Sequence, residues 1–153
     1  MSVYFEIGNL LDAPMDYICH QVNCQGRMGS GIAKQIRERW PDVYEAYMRA
    51  FTKSKNTLGD IQLVAHEKRK QIVINMYAQE FYGYDGKRYT SYDAFWSCLG
   101  AIRDFVPEGS KIGFPAKIGC GLGGANWEVI FRMIEQVLGE DYEVYIYMLE
   151  EEQ

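Results

Sequence analysis

Short apolar runs bounded by polar or turn-forming residues open the chain: residues 3–7 (VYFEI) and 17–22 (YICHQV) each predict a β-strand. The second runs straight into a glycine-rich loop. From Gly31 the period changes, because Ile32, Ile36 and Trp40 recur every four residues and so form one apolar stripe on a helix, which Pro41 breaks or kinks. Tyr44, Tyr47, Met48 and Phe51 carry the stripe through a second helical segment. Residues 60–68 (DIQLVAHEK) and 71–79 (QIVINMYAQ) are rich in β-branched side chains and predict two strands joined by a basic hairpin turn. A tyrosine-rich loop follows. Thr90 or Ser91 is then placed to cap a helix with Phe95, Leu99, Ile102 and Val106 on its apolar side, ended by Pro107. A strand from Lys111 leads into a second glycine loop and a further helix carrying Ile130, Met133, Ile134, Val137 and Leu138, with Gly139 expected at its C′ position. Residues 142–149 (YEVYIYML) predict a closing strand, and the final EEEQ a solvated tail.

Strands alternating with helices over 153 residues predict a single α/β domain, 1–153, with a mixed, mainly parallel sheet covered on both faces. In such folds ligands sit beyond the carboxyl ends of the strands, and both glycine loops, 25–31 and 119–124, fall there. A loop entering a helix N-terminus offers unpaired N–H groups and the positive end of the helix dipole. Glycine adds close backbone approach, so the combination suits a phosphate or pyrophosphate. Either loop alone fits a tight, closely packed turn equally well; two at equivalent strand ends favour the anion site. Neither is a Walker A loop, since no Gly-Lys-Ser/Thr follows, and GRMGSG is not a complete dinucleotide fingerprint. A nicotinamide-dependent oxidoreductase is disfavoured on that ground.

Composition narrows the partners. Hydrophobic residues at 48% and charged residues at 24% are globular values, and no apolar run is long enough to cross a bilayer. The N-terminus lacks a secretory layout, so a cytoplasmic location is expected. Cys19, Cys24, Cys98 and Cys120 form no CxxC pair and only two histidines accompany them, which predicts reduced thiols, no metal site and no cofactor. A net charge of −5 argues against a broad nucleic-acid surface but leaves room for a small anion held by backbone.

Three ordered segments then carry a resemblance: GNLL (8–11) after the first strand, HQVNCQGRMGSGIA (20–33) around the second, and PAKIGCGLGGANW (115–127) before the last helix. From Val3 to Leu149 the chain resembles the macro domain, the ADP-ribose-binding module, and most closely its ADP-ribose-1″-phosphate phosphatases and terminal ADP-ribose protein glycohydrolases. The resemblance implies a three-layer α/β/α sandwich. It implies as ligand ADP-ribose or ADP-ribose-1″-phosphate, or an ADP-ribosylated macromolecule, with no membrane partner. The first activity it suggests is hydrolysis of ADP-ribose-1″-phosphate to ADP-ribose and phosphate; the alternatives are a non-catalytic reader and a de-ADP-ribosylating hydrolase.

Site residues follow from the same resemblance. Asn9, with Leu10 beside it, stands where the family places the adenine contact, although an ordinary turn role fits Asn9 too. Asn23 matches the asparagine near the distal ribose. Gly29, Ser30, Gly31 and Ile32 would form one wall of a diphosphate cleft, and Ile118, Gly119, Cys120, Gly121, Leu122 and Gly123 the other. Tyr147 would flank adenine or else pack on the sheet. His20 is the candidate catalytic group, with a buried neutral histidine as the competing role. The lysine and acid of the related glycohydrolases are missing: their places hold Tyr77-Ala78-Gln79 and Gly123. Asp85 and Asp93 would supply an acid only from an inward-folded loop, Lys87 and Arg88 could attract a terminal phosphate, and Cys120 would be a nucleophile only with a stabilised thiolate.

Overall fold

The computed structural model describes residues 2–66 and 68–150, so the end of the acidic tail (151–153) and residue 67 of the basic turn lie outside the described residues. Its strands are β1 (Ser2–Ile7), β2 (Tyr17–Asn23), β3 (Ile61–His66), β4 (Gln71–Gln79), β5 (Lys111–Pro115) and β6 (Glu143–Met148). Its helices are α1 (Gly31–Arg39), α2 (Pro41–Thr52), α3 (Tyr92–Phe105) and α4 (Trp127–Leu138). The sheet order is β1-β6-β5-β2-β4-β3. Every neighbouring pair is parallel except β3 with β4, which gives the mixed, mainly parallel sheet the sequence predicts.

Local chemistry sets the helix ends. Trp40, forced toward extended backbone by the following proline, takes φ −128° and ψ 74° and separates α1 from α2, where Pro41 fills a first-turn position that needs no N–H. Ser91 caps α3 through Ala94 N, and Asn126 caps α4 through Glu128 N and Val129 N. Gly139 does end α4, but with φ −62° rather than the left-handed conformation expected of a C′ glycine. A Cβ there would lie 2.5 Å from the Glu135 carbonyl oxygen, so crowding against the last turn selects glycine.

Side-chain alternation along the central strands makes the three layers. Ile74, Met76 and Ala78 of β4 share a buried cluster with Phe95 and Leu99 of α3 and Ile130 and Ile134 of α4. Val73 of β4 and Ile18 of β2 instead meet Ile36 and Val43 of α1 and α2, while Val22 and Tyr77 meet Tyr47. Near the end of β2 the register slips: Val22 opposes Tyr77, yet Asn23 opposes Gln79, a bulge that re-aims Asn23. The carboxyl ends of β2, β4 and β5 therefore deliver three loops to one edge of the sheet. No helix among the described residues is long and apolar enough to cross a membrane.

Candidate functional site

Those three loops enclose a cleft of about 530 Å³. Residues 29–33 and residues 115–123 line it together with Gln21, Asn23 and Gln79 of the strand ends and Tyr82, Gly83 and Tyr84 of the tyrosine-rich loop. The two glycine loops thus line a single crevice.

Both walls expose main-chain donors. The first bond of α1 runs from Lys34 N to Ser30 O at 3.2 Å, leaving the amides of Gly31, Ile32 and Ala33 ahead of it unpaired. Ser30 is a residue type that normally satisfies such amides, yet its side chain makes no cap bond; its Oγ sits 3.2 Å from the Tyr84 hydroxyl. In the opposite loop, turns are closed by Cys120 N to Lys117 O (2.9 Å), Gly124 N to Gly121 O (3.1 Å) and Ala125 N to Gly119 O (3.0 Å). The amides of Gly121, Leu122 and Gly123 make no such bond.

The glycines have different reasons. Gly123 is fixed by packing, since a Cβ there would lie 2.5 Å from both Thr90 Oγ1 and Gly119 O. Gly29 and Gly121 have no left-handed backbone and nothing within 4 Å of a built Cβ, yet both line the cleft. Neither a left-handed backbone nor packing within the protein calls for glycine at either position. Arg27 and Lys117 also line the cleft and no aspartate or glutamate among the described residues does, so the lining is locally cationic in a chain of net charge −5. The Arg27 guanidinium lies 5.5 Å from the Tyr82 ring centroid.

Of the residues singled out in the sequence, the cleft brings together Asn23, Gly29, Ser30, Gly31, Ile32, Ile118, Gly119, Cys120, Gly121, Leu122 and Gly123. Four others lie elsewhere. His20 is fully buried, on the face of β2 that carries Ile18 and Val22 beneath α1 and α2. Its Nε2 lies 2.5 Å from Asn75 Oδ1. Asn75 Nδ2 donates to Gln62 Oε1 at 2.9 Å, so Asn75 Oδ1 must accept and His20 carries its proton on Nε2. Burial lowers its pKa to about 4 against the opposing Asn75 bond, which makes it a neutral core histidine rather than a group in the cleft. Leu10 is likewise a core residue, packed where a Cβ on Gly113 would meet it at 2.6 Å. Asn9 spends its Oδ1 on Leu11 N at 2.9 Å as the cap of a short 3₁₀ turn, Leu10–Asp12. Tyr147 packs half-buried against the apolar cluster beneath α1, outside the cleft lining.

The remaining candidates are tied down as well. Burial pushes the Cys120 thiol up to about 11 despite Lys117 nearby, and its Sγ donates to Ile118 O at 3.4 Å. Asp85 accepts from Tyr89 OH at 2.8 Å and Lys87 N at 3.2 Å within its own loop. The Arg88 guanidinium lies 4.5 Å from the Tyr92 ring centroid. None of Asp85, Lys87, Arg88 or Asp93 lines the cleft. Sequence reasoning passed over Gln21, Gln79, Arg27 and Lys117. Gln21, Arg27 and Lys117 lie inside the segments 20–33 and 115–127 that carry the resemblance, and Gln79 stands at the glycohydrolase lysine place, so a local signal existed for each while its role in the cleft did not.

This geometry belongs to a known class. The macro domain model matches residues 19–134, and the chain belongs to that family. The DNA ADP-ribosyl glycohydrolase of Thermus aquaticus is 26% identical over 147 residues, taking in 94% of this chain, which spans 40% of the length of that relative. A 17.5 kDa protein of the tk–vs intergenic region of Enterobacteria phage T4 is 29% identical over 130 residues, 77% of each chain. Among solved structures, the macrodomain of Thermus aquaticus DarG superposes with a TM-score of 0.79 at 25% identity, covering 95% of this chain and 97% of that one.

Proposed function

We propose that the chain binds ADP-ribose in this cleft, with the diphosphate between Gly29 and Gly121, and hydrolyses a bond at C1″ of the distal ribose. The observation that carries the reading is the pair of cleft-lining glycines that neither a left-handed backbone nor packing requires, set among amides without main-chain partners. Relatives named as ADP-ribosyl glycohydrolases support the hydrolase class.

The lining favours ADP-ribose-1″-phosphate as substrate. Glycosidic hydrolysis ordinarily uses paired carboxylates as acid and base, and the cleft lining holds neither carboxylate nor imidazole. A 1″-phosphate supplies what the lining lacks. Water attacks C1″, the C1″–O bond breaks, and phosphate leaves with the electron pair and takes the proton of the water, giving ADP-ribose and phosphate. The same lack of a base favours, as second reading, a non-catalytic reader of ADP-ribose or of ADP-ribosylated partners.

Two measurements on the wild type separate these readings: ADP-ribose binding by calorimetry, and release of phosphate from ADP-ribose-1″-phosphate beside release of ADP-ribose from an ADP-ribosylated oligonucleotide. Phosphate release supports the phosphatase, ADP-ribose release the glycohydrolase, and binding without turnover the reader. No heat at saturating ADP-ribose rejects all three.

A further inference from the structure

We propose that Thr90, held by Gln21 of the cleft lining, is a positioning residue that sets the 119–123 loop in its anion-binding shape; the inference rests on the ADP-ribose reading of the cleft. Thr90 is 2% exposed and contributes nothing to the cleft lining. It is nevertheless bonded to both ends of the loop. Its Oγ1 donates to Gly119 O at 2.8 Å, and its amide donates to Gly123 O at 3.0 Å beside that of Tyr89 at 2.8 Å.

The direction of every bond in this network is fixed. Because the Thr90 proton goes to the Gly119 carbonyl, Thr90 Oγ1 must accept, and it does so from Gln21 Nε2 at 2.7 Å. At the other end Gln79 Nε2 donates to Phe81 O at 2.7 Å, so Gln79 Oε1 takes the second proton of Gln21 Nε2 at 2.8 Å. Two main-chain carbonyls, on Phe81 and Gly119, therefore orient both amides and the hydroxyl. Gln21 cannot turn over without breaking two bonds.

The orientation leaves Gln21 Oε1 buried with no partner among the described residues. The Gln21–Thr90 pair also packs against two glycines of the loop, of which Gly119 already needs glycine for its left-handed backbone, φ 75°. A Cβ on Gly119 would lie 2.7 Å from Gln21 Oε1, and one on Gly123 would lie 2.5 Å from Thr90 Oγ1. The loop thus seats on this pair, and the amides of Gly121, Leu122 and Gly123 are left without main-chain partners.

Thr90→Val keeps the shape and removes the hydroxyl; Thr90→Ser restores it. ADP-ribose and adenosine, which lacks the diphosphate, are titrated into each variant with amide chemical shifts recorded. The valine variant should lose about tenfold in ADP-ribose affinity, the weight of one buried hydrogen bond, with adenosine affinity held and the serine variant near wild type. Equal affinity of a folded valine variant for ADP-ribose, or an equal loss for both probes, overturns the proposal. Should the valine variant not fold, Thr90→Ala, which also removes the hydroxyl, carries the same comparison. If the wild type binds no ADP-ribose, the reading of the cleft has failed instead. The unliganded spectra then decide this proposal: Thr90→Val must shift the amides of Gly119, Gly121 and Gly123 and Thr90→Ser must not.

Discussion

The phenol of Tyr47 lies 2.7 Å from the main-chain oxygen of Asn23 and 3.0 Å from its side-chain Oδ1, sharing one proton between them. Tyr47 is 1% exposed and reaches Asn23 from α2, behind the cleft. Asn23 Oδ1 also accepts from Gln25 N at 3.0 Å and Arg27 N at 3.3 Å, and its Nδ2 donates to Arg27 O at 2.9 Å. Its acceptor capacity is consumed by the first glycine loop, so Asn23 can offer a ligand only its remaining N–H. Removing the phenol by Tyr47→Phe should cost about 1 kcal/mol of stability and weaken ADP-ribose binding, because the amide gains freedom to turn. Thermal melts with calorimetric titration check both; unchanged affinity would mean that the loop holds Asn23 without Tyr47.

The cleft-lining glycines give a test that separates binding from folding. Gly29→Ala and Gly121→Ala place a methyl group in open space on unstrained backbone, so the melting temperature should stay near wild type while ADP-ribose affinity falls by at least about tenfold. Gly123→Ala should behave in the opposite order, losing roughly 1–3 kcal/mol of stability as its methyl collides with Thr90 and Gly119. If all three variants lose stability alike, the argument for a ligand between Gly29 and Gly121 fails.

Much of this frame was legible because local signals agreed with the global fold. β4 runs from Gln71 to Gln79, as its β-branched run predicts, and the capping residues Ser91 and Asn126 stand where the helical periods of α3 and α4 begin. The glycine loops, read from two short segments, do meet. The direction of His20 was not legible. β2 is covered on both faces, so its burial pattern shows no polar side to which a histidine could be assigned. Nor were the polar contacts of the cleft, since Gln21 finds Gln79 and Thr90 across separations of 58 and 69 residues. No window of sequence contains such a network. Thr90, one of two candidate caps of α3, proved to serve the glycine loop while Ser91 does the capping.

A histidine buried in its neutral form should leave a signature in stability against pH. The folded pKa of His20, about 4, lies below its ordinary value of 6.5, so between these limits the unfolded chain binds a proton that the folded one refuses. The His20 contribution is therefore complete above pH 6.5 and is lost as pH falls toward 4, by roughly 3 kcal/mol over the window. Denaturant unfolding between pH 7 and pH 4 should show this slope in the wild type and a shallower one in His20→Gln, whose amide can still donate to Asn75. Hydrolysis should survive the same substitution, because His20 does not line the cleft. Loss of turnover with stability and affinity intact would return His20 to the chemistry.

Cys120 lies in the cleft wall, where a thiolate would be a plausible nucleophile, and its environment argues against one. Burial raises its pKa to about 11, outweighing the opposite pull of Lys117. At pH 8 about one thiol in a thousand would then be ionised, too few for the thiol to serve as an activated nucleophile. Alkylation of Cys120 by iodoacetamide, followed by peptide mass analysis, should keep accelerating up to about pH 11 with no plateau near neutrality. A plateau near pH 7 would reveal a stabilised thiolate and reopen covalent catalysis. Turnover should also survive Cys120→Ala, because the turn at residue 120 is closed by its amide on Lys117 O at 2.9 Å and the thiol stays protonated. Abolished turnover in a variant that still binds ADP-ribose would make the sulfur, and not water, the attacking group.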